Sequence, residues 1–235
     1  SLGRSKDIYR LEMRRVRLDR VMTRETIRIG LPSGLQSVLF SLSNILITTS
    51  INGFGTSTVA AWVALGKVDA MNWMIVGAFG VSVTTFVGQN YGARRYERVS
   101  KSMRVCMVLC EATTILFSLL AACFSRQIFS LFTQDEEVLE TSIRMLNFMV
   151  KCYWLYVPIE MISGTLRGTG NVLVPTMITA LGICGIRVVW MLAVVPHWHV
   201  LESIMFSYPF SWILTSLAFV VYYLKTRKRL LPAQE

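Results

Sequence analysis

Six stretches of this chain are apolar enough and long enough to cross a lipid bilayer: about 29–52, 57–87, 103–124, 145–166, 172–195 and 201–224. A spanning helix needs about 20 mostly apolar residues, because the hydrocarbon core is about 30 Å thick and a helix rises about 1.5 Å per residue. Inside that core every backbone N–H and C=O must find its partner within the protein, so runs of this kind fold as helices. The chain therefore reads as all-α and polytopic. Its composition agrees: 53% of the 235 residues are hydrophobic and only 16% are charged, against about 25% charged in a soluble domain. A disordered chain, a disulfide-framed secreted domain and an ordinary cytosolic enzyme are excluded.

The net charge of +10 does not mark a nucleic-acid binder, because of where it sits. Nineteen of the 24 Lys and Arg fall into four clusters at alternate ends of the apolar runs. They are residues 1–28, the Arg94–Arg104 loop, Arg167, and the tail from Lys225 to Arg229. The loops at the other ends carry Arg126 but also Asp135, Glu136, Glu137, Glu140 and Glu202. Cytoplasmic loops hold the excess of Lys and Arg, so both termini are expected in the cytoplasm, with the body in the plasma (bacterial inner) membrane. Residues 1–28 read as a basic amphipathic cytoplasmic linker, 29–224 as a six-helix transmembrane lobe, and 225–235 as a basic cytoplasmic tail. The chain starts at Ser1 without a signal-peptide pattern, which suggests that the sequence begins inside a longer protein.

Five charges lie well inside the spans: Lys67, Asp69, Glu111, Glu160 and Arg187. Each is costly in a bilayer, so each is expected to pair with another helix or to line a wet cavity. Lys67 and Glu111 lie at similar depth and are candidates for an interhelical pair. Lys67 and Asp69 are two residues apart, about 200° around a helix, and cannot share a face. Asp69 and Glu160 are the best carboxylates for coupling to an ion. Trp73, with Met71 and Met74, and Tyr156, with Tyr153 and Trp154, suit the lining of a site for bulky apolar cations, or equally helix packing. Pro158 should break the fourth span and free a carbonyl that neighbours must satisfy. Pro32, Pro175 and Pro209 are expected in the first turns of their spans, and Gly77 and Gly80 are expected to ease a bend in the second. No catalytic or metal motif is present, the five cysteines form no CxxC pair, and no cofactor is implied.

Two stretches carry a resemblance. One is Thr85-Phe86-Val87-Gly88-Gln89-Asn90-Tyr91-Gly92-Ala93, followed by Arg94, Arg95 and Arg98. The other is Gly164-Thr165-Leu166-Arg167-Gly168-Thr169-Gly170-Asn171, followed by Pro175. Both resemble signatures of the multidrug and toxic compound extrusion (MATE) transporters. The resemblance implies twelve spans in two six-helix lobes, of which this chain is similar to the second. It marks Gly88, Gln89, Asn90, Gly92, Arg167, Gly168 and Gly170 as structural signature residues. The implied function is half of a secondary antiporter exporting organic, often cationic, compounds in exchange for H+ or Na+. The implied partners are membrane lipid, a small organic substrate, and the missing N-terminal lobe or a second copy as a dimer. A lipid-linked precursor flippase of the same superfamily and a truncated non-transporting fragment are the alternatives. The family's coupling carboxylates do not carry over: residues 29–52 hold no acid, Lys67 stands where eukaryotic relatives have Glu, and Tyr156 stands where one branch has an acid.

Overall fold

The computed structural model describes residues 19–230, and within them the protein is all-helical. The order is α1 (Arg20–Asn52), α2 (Thr56–Gly92), α3 (Tyr96–Cys123), α4 (Ser125–Ser130) and α5 (Glu136–Met149). A single 3-10 turn (Tyr153–Leu155) leads into α6 (Val157–Gly168). Then come α7 (Leu173–Thr179), a π-helical turn (Ala180–Gly185), α8 (Ile186–Ala193) and α9 (Leu201–Leu230). Five elements are long and apolar enough to cross a membrane: α1, α2, α3, the continuous α7–α8 helix and α9. The fourth apolar stretch is not one helix but two, α5 and α6, joined through the 3-10 turn.

That break has the expected cause. Pro158 lies in the first turn of α6, where its missing N–H costs little but prevents α5 from running on. Two carbonyls at the break are taken up by side chains. The Trp154 indole donates to the Lys151 carbonyl at 2.9 Å, and the Ser216 hydroxyl of α9 donates to the Leu155 carbonyl at 2.7 Å. The start of α5 at Glu136, nine residues before the apolar stretch, follows from its cap. Asp135 accepts from the Glu137 and Val138 amides, and Glu136 and Glu137 favour the positive end of the helix dipole.

Two expectations about proline fail for related reasons. The Asp19 side chain accepts from the Val21 and Met22 amides and starts α1 at Arg20, upstream of the apolar run, so Pro32 is interior. The helix therefore passes through residue 28 without a break; residues 1–18 of the expected linker lie outside the described residues. Pro209 is likewise inside α9. Of these three prolines, Pro175 alone sits in a first turn, that of α7. Nor do the glycines of α2 interrupt it, since it is continuous from Thr56 to Gly92.

Contacts between loops fix which helix ends lie together. Phe54 stacks on His199 at 4.7 Å and Ser57 donates to Glu137, gathering the α1–α2, α4–α5 and α8–α9 connections at one end. Arg126 bridges Glu136 and Glu140 at this end. At the opposite end Gly88 faces the Gly168 carbonyl and Asn171 donates to the Tyr222 hydroxyl at 3.0 Å. The helices thus alternate in direction, and the Arg94–Arg104 cluster, Arg167 and Lys225 share one end of the lobe. Between the ends, large apolar side chains such as Leu35, Val38, Val108, Leu116, Leu119 and Leu217 point outward. An outer surface of that kind needs an apolar solvent.

The tightest helix contact is between α2 and α6. A Cβ on Gly164 would stand 2.7 Å from Val83, and one on Gly168 would stand 2.7 Å from the Thr84 carbonyl and 2.8 Å from Val87. Glycine at these positions lets the two backbones approach, as small residues do between membrane helices. Thr84 sits in the seam and donates to the Gly80 carbonyl at 2.7 Å and the Gly164 carbonyl at 3.1 Å.

Candidate functional site

A cavity of about 440 Å³ opens between the spans. Phe40 and Asn44 of α1, Asp69, Trp73, Val76 and Gly77 of α2, and Tyr156 and Glu160 at the start of α6 line it. Ile183 of the π turn, Arg187 of α8 and Tyr208 of α9 close it. Five of the seven pathway candidates therefore meet in one place: Asp69, Trp73, Tyr156, Glu160 and Arg187.

Each charge in the cavity has a distinct environment. The Tyr153 hydroxyl donates to Asp69, which ties α2 to the 3-10 turn. Glu160 forms an ion pair with Arg167 at 2.7 Å, two turns further along α6. It also lies against Gly80, where any Cβ would collide with its carboxylate. Gly80 is thus a seat for Glu160. Arg187 is 4% exposed, and its Cζ lies 4.0 Å above the Tyr208 ring, a cation–π geometry.

The wall between these charges is aromatic. Trp73 meets Tyr156 edge-on at 4.8 Å and Trp212 at 5.8 Å. Trp212 also packs against Tyr156 and Tyr208, each at 5.8 Å. Edge-to-face pairs at these distances hold rings in fixed orientations, so the cavity is rigid on the α2, α6 and α9 sides.

Two candidates lie elsewhere. Lys67 is exposed on α2 and makes no ion pair with Glu111 among the described residues. Glu111 is half-buried on α3, with no hydrogen bond or ion pair among the described residues. Equal depth on neighbouring helices was not enough, and the candidate pair does not form among the described residues. The separation of Lys67 from Asp69 is as the helical angle requires. Met71 and Met74 are exposed on α2 and do not join Trp73 in the cavity, because they fall on its outer side.

The signature residues form the basic end of the lobe. Gly88 abuts Gly168 across the α2–α6 seam. Buried Asn90 donates from its side chain to the Phe86 carbonyl at 2.8 Å and accepts the Arg95 amide on its own carbonyl at 2.8 Å. Gln89 accepts from the Ala93 amide, and Gly92 is the last residue of α2. Arg94 adopts φ +58, so the α2–α3 turn contains a left-handed residue that is not glycine. Gly170 ends α6 at φ +86, whereas Gly168 is helical and needed for its closeness to α2.

Sequence reasoning did not single out Phe40, Asn44, Tyr208 or Trp212. Asn44 carried a usable signal, an amide inside an apolar run. Asn72 carried the same signal, and its side chain is fully buried with both polar atoms unpaired among the described residues. Tyr208 and Trp212 are spaced four apart and so share a face of α9, but nothing in the spacing says what that face looks into.

Apolar spans of alternating direction around a cavity lined by charged and aromatic side chains define an integral membrane protein. The sequence profile of the MatE family matches residues 32–192, and the chain belongs to that family, which comprises transporters and not enzymes. The probable multidrug resistance protein YoeA of Bacillus subtilis (strain 168) is 29% identical over 212 residues, covering 89% of this chain and 46% of YoeA. Among solved structures, a MOP superfamily transporter from Pyrococcus furiosus superposes with a TM-score of 0.78 at 16% identity, over 95% of this chain and 50% of that one. A variant of the Vibrio cholerae MATE transporter VcmN superposes with a TM-score of 0.79 at 19% identity, over 93% and 49%. The chain spans about half the length of the relatives it matches.

Proposed function

We propose that this chain is the second lobe of a secondary antiporter in the plasma membrane, with its described basic end in the cytoplasm. It exports small organic compounds in exchange for H+ or Na+, working with a first six-helix lobe by alternating access. The observation that carries this reading is the convergence of Asp69, Glu160 and Arg187 in one aromatic-walled cavity. Fixed rings offer a bulky solute apolar contact, and two carboxylates offer sites whose occupation by a cation can be exchanged for the solute. The flippase alternative called for more cations facing the cavity than Lys67 and Arg187; among the described residues Arg187 alone lines it.

The direct test is transport. The chain joined to, or co-produced with, a first lobe should lower the accumulation of a fluorescent organic dye in a pump-deficient bacterium, and dissipating the ion gradients should abolish the effect. Accumulation unchanged under every pairing would refute it. Orientation has its own test: single cysteines at positions 94–98 should react with an impermeant maleimide only from the cytoplasmic side, and those at 134–140 only from outside.

A further inference from the structure

We infer that the cavity contains an oxyanion subsite at Arg187, so that the compound carried by this lobe bears a carboxylate or phosphate on an aromatic or apolar body. The inference rests on the antiporter reading and narrows its substrate class.

The argument is one of unmatched charge. The cavity holds two carboxylates and one guanidinium, yet they do not pair with one another. Asp69 is held by the Tyr153 hydroxyl, and Glu160 is held by Arg167. Arg187 is left without an ion pair or hydrogen bond among the described residues, and its Nε is fully buried and unpaired. The Tyr208 ring lies beneath it, and Tyr156 and Cys184 are also close enough to feel its charge, but none of these is a counter-ion. A guanidinium 96% withdrawn from solvent with no counter-ion is costly. That cost is relieved when a ligand brings the charge.

The geometry suits such a ligand. A guanidinium presents its donors as a planar fork that matches the two oxygens of a carboxylate or phosphate. The Tyr208 ring, 4.0 Å from Cζ, restrains where that fork can stand. The position is also built by the fold: Arg187 stands in the first turn of α8, directly after the π turn. That turn is pressed against α9 at Gly182, where any Cβ would collide with Thr215. π-helical turns of this kind recur where a helix must present side chains to a site. Beside the fork, Trp73 and Tyr156 offer flat faces for the body of the solute.

Binding by the purified chain in detergent tests this without requiring transport. Three probes share one ring system: 2-naphthoate, 2-naphthyl phosphate and 2-naphthylmethylammonium. Equilibrium dialysis, with free ligand read by naphthyl fluorescence, should show the two acids bound at least about tenfold more tightly than the amine. Arg187→Gln should erase that preference, and Arg187→Lys, which keeps the charge but not the fork, should restore part of it. Inorganic phosphate and chloride should compete only weakly, because they lack the ring. If the amine binds the unaltered chain as well as the acids do, the subsite is overturned while the cavity remains a ligand site. The ranking in the unaltered chain decides this even if the Gln variant does not fold. If phosphate or chloride alone binds as tightly as the naphthyl acids, the site is one for a small ion and the organic substrate is overturned. If no naphthyl probe binds, both the subsite and the cavity reading fail.

Discussion

Glycines 168 and 170 sit two residues apart in one signature and serve different physical needs. Gly170 has φ +86, where a side chain strains the backbone; alanine there should cost about 1–2 kcal/mol. Gly168 is helical, but a Cβ would press on the Thr84 carbonyl and Val87. Gly168→Val forces α2 and α6 apart, and overpacking of a seam this close costs about 1–3 kcal/mol or more. The expected outcome is a larger loss of monodisperse protein in detergent for Gly168→Val than for Gly170→Ala. Equal yields would mean that the seam can relax. The sequence marked both only as signature glycines and did not tell their roles apart, because a close approach between two helices leaves no local signature. The same limit hid the partners of the intramembrane charges. Depth along a helix can be counted in residues, but the facing side of a neighbour cannot. Asp69, Glu160 and Arg187 were therefore legible as costly residues, while the absence of a Lys67–Glu111 pair was not.

The elements were legible where hydropathy alone decides them. Five spans stand near their expected bounds in apolar sequence, and Pro158 announced the break in the fourth. What hydropathy missed were polar helical turns: the first turns of α1 and α5 exist because Asp19 and Asp135 cap them. The short α4 and the π turn also went unseen, since neither changes the apolar pattern. The broken fourth span shows how a helix gap is tolerated among the spans, for its freed Leu155 carbonyl takes a hydrogen bond from Ser216 of α9. Ser216→Ala removes that donor and leaves a partly buried carbonyl without it. Such bonds contribute about 0.6–1.5 kcal/mol, and about 1 kcal/mol shifts the midpoint of a chain this size by roughly 2–4 °C. A fall of that order in the thermal midpoint in detergent is expected, with circular dichroism unchanged at low temperature because Pro158 still sets the break. An unchanged midpoint would mean that the Leu155 carbonyl finds another donor.

At the scale of the whole molecule, the cavity joins elements from both halves of the lobe, since α1 and α2 meet α6, α8 and α9 around it. A solute or ion bound there touches four of the five long spans, all but α3, so on the proposed reading its binding can bias how they are arranged. On the proposed antiport reading Asp69 and Glu160 are the carboxylates that would exchange a cation for solute, and their supports differ. Asp69 accepts from Tyr153, and an asparagine oxygen can accept the same bond, so Asp69→Asn removes charge while leaving the contact. Glu160→Gln instead strips Arg167 of its counter-charge and should disturb the basic end of α6 as well. In a two-lobe context, Asp69→Asn should keep the protein in the membrane and bind organic solute nearly as well as the unaltered protein. Efflux driven by a pH or sodium gradient should fall by at least about tenfold, the consequence of about 1.4 kcal/mol lost from the coupled step. Glu160→Gln should show the same loss with a lower folded yield, and Arg167→Ala should mimic that lower yield if the ion pair is its cause. Gradient-driven efflux at the unaltered rate with both carboxylates neutralised would move ion exchange out of this cavity. The lobe would then supply only the solute's seat, with the exchangeable carboxylate on its partner.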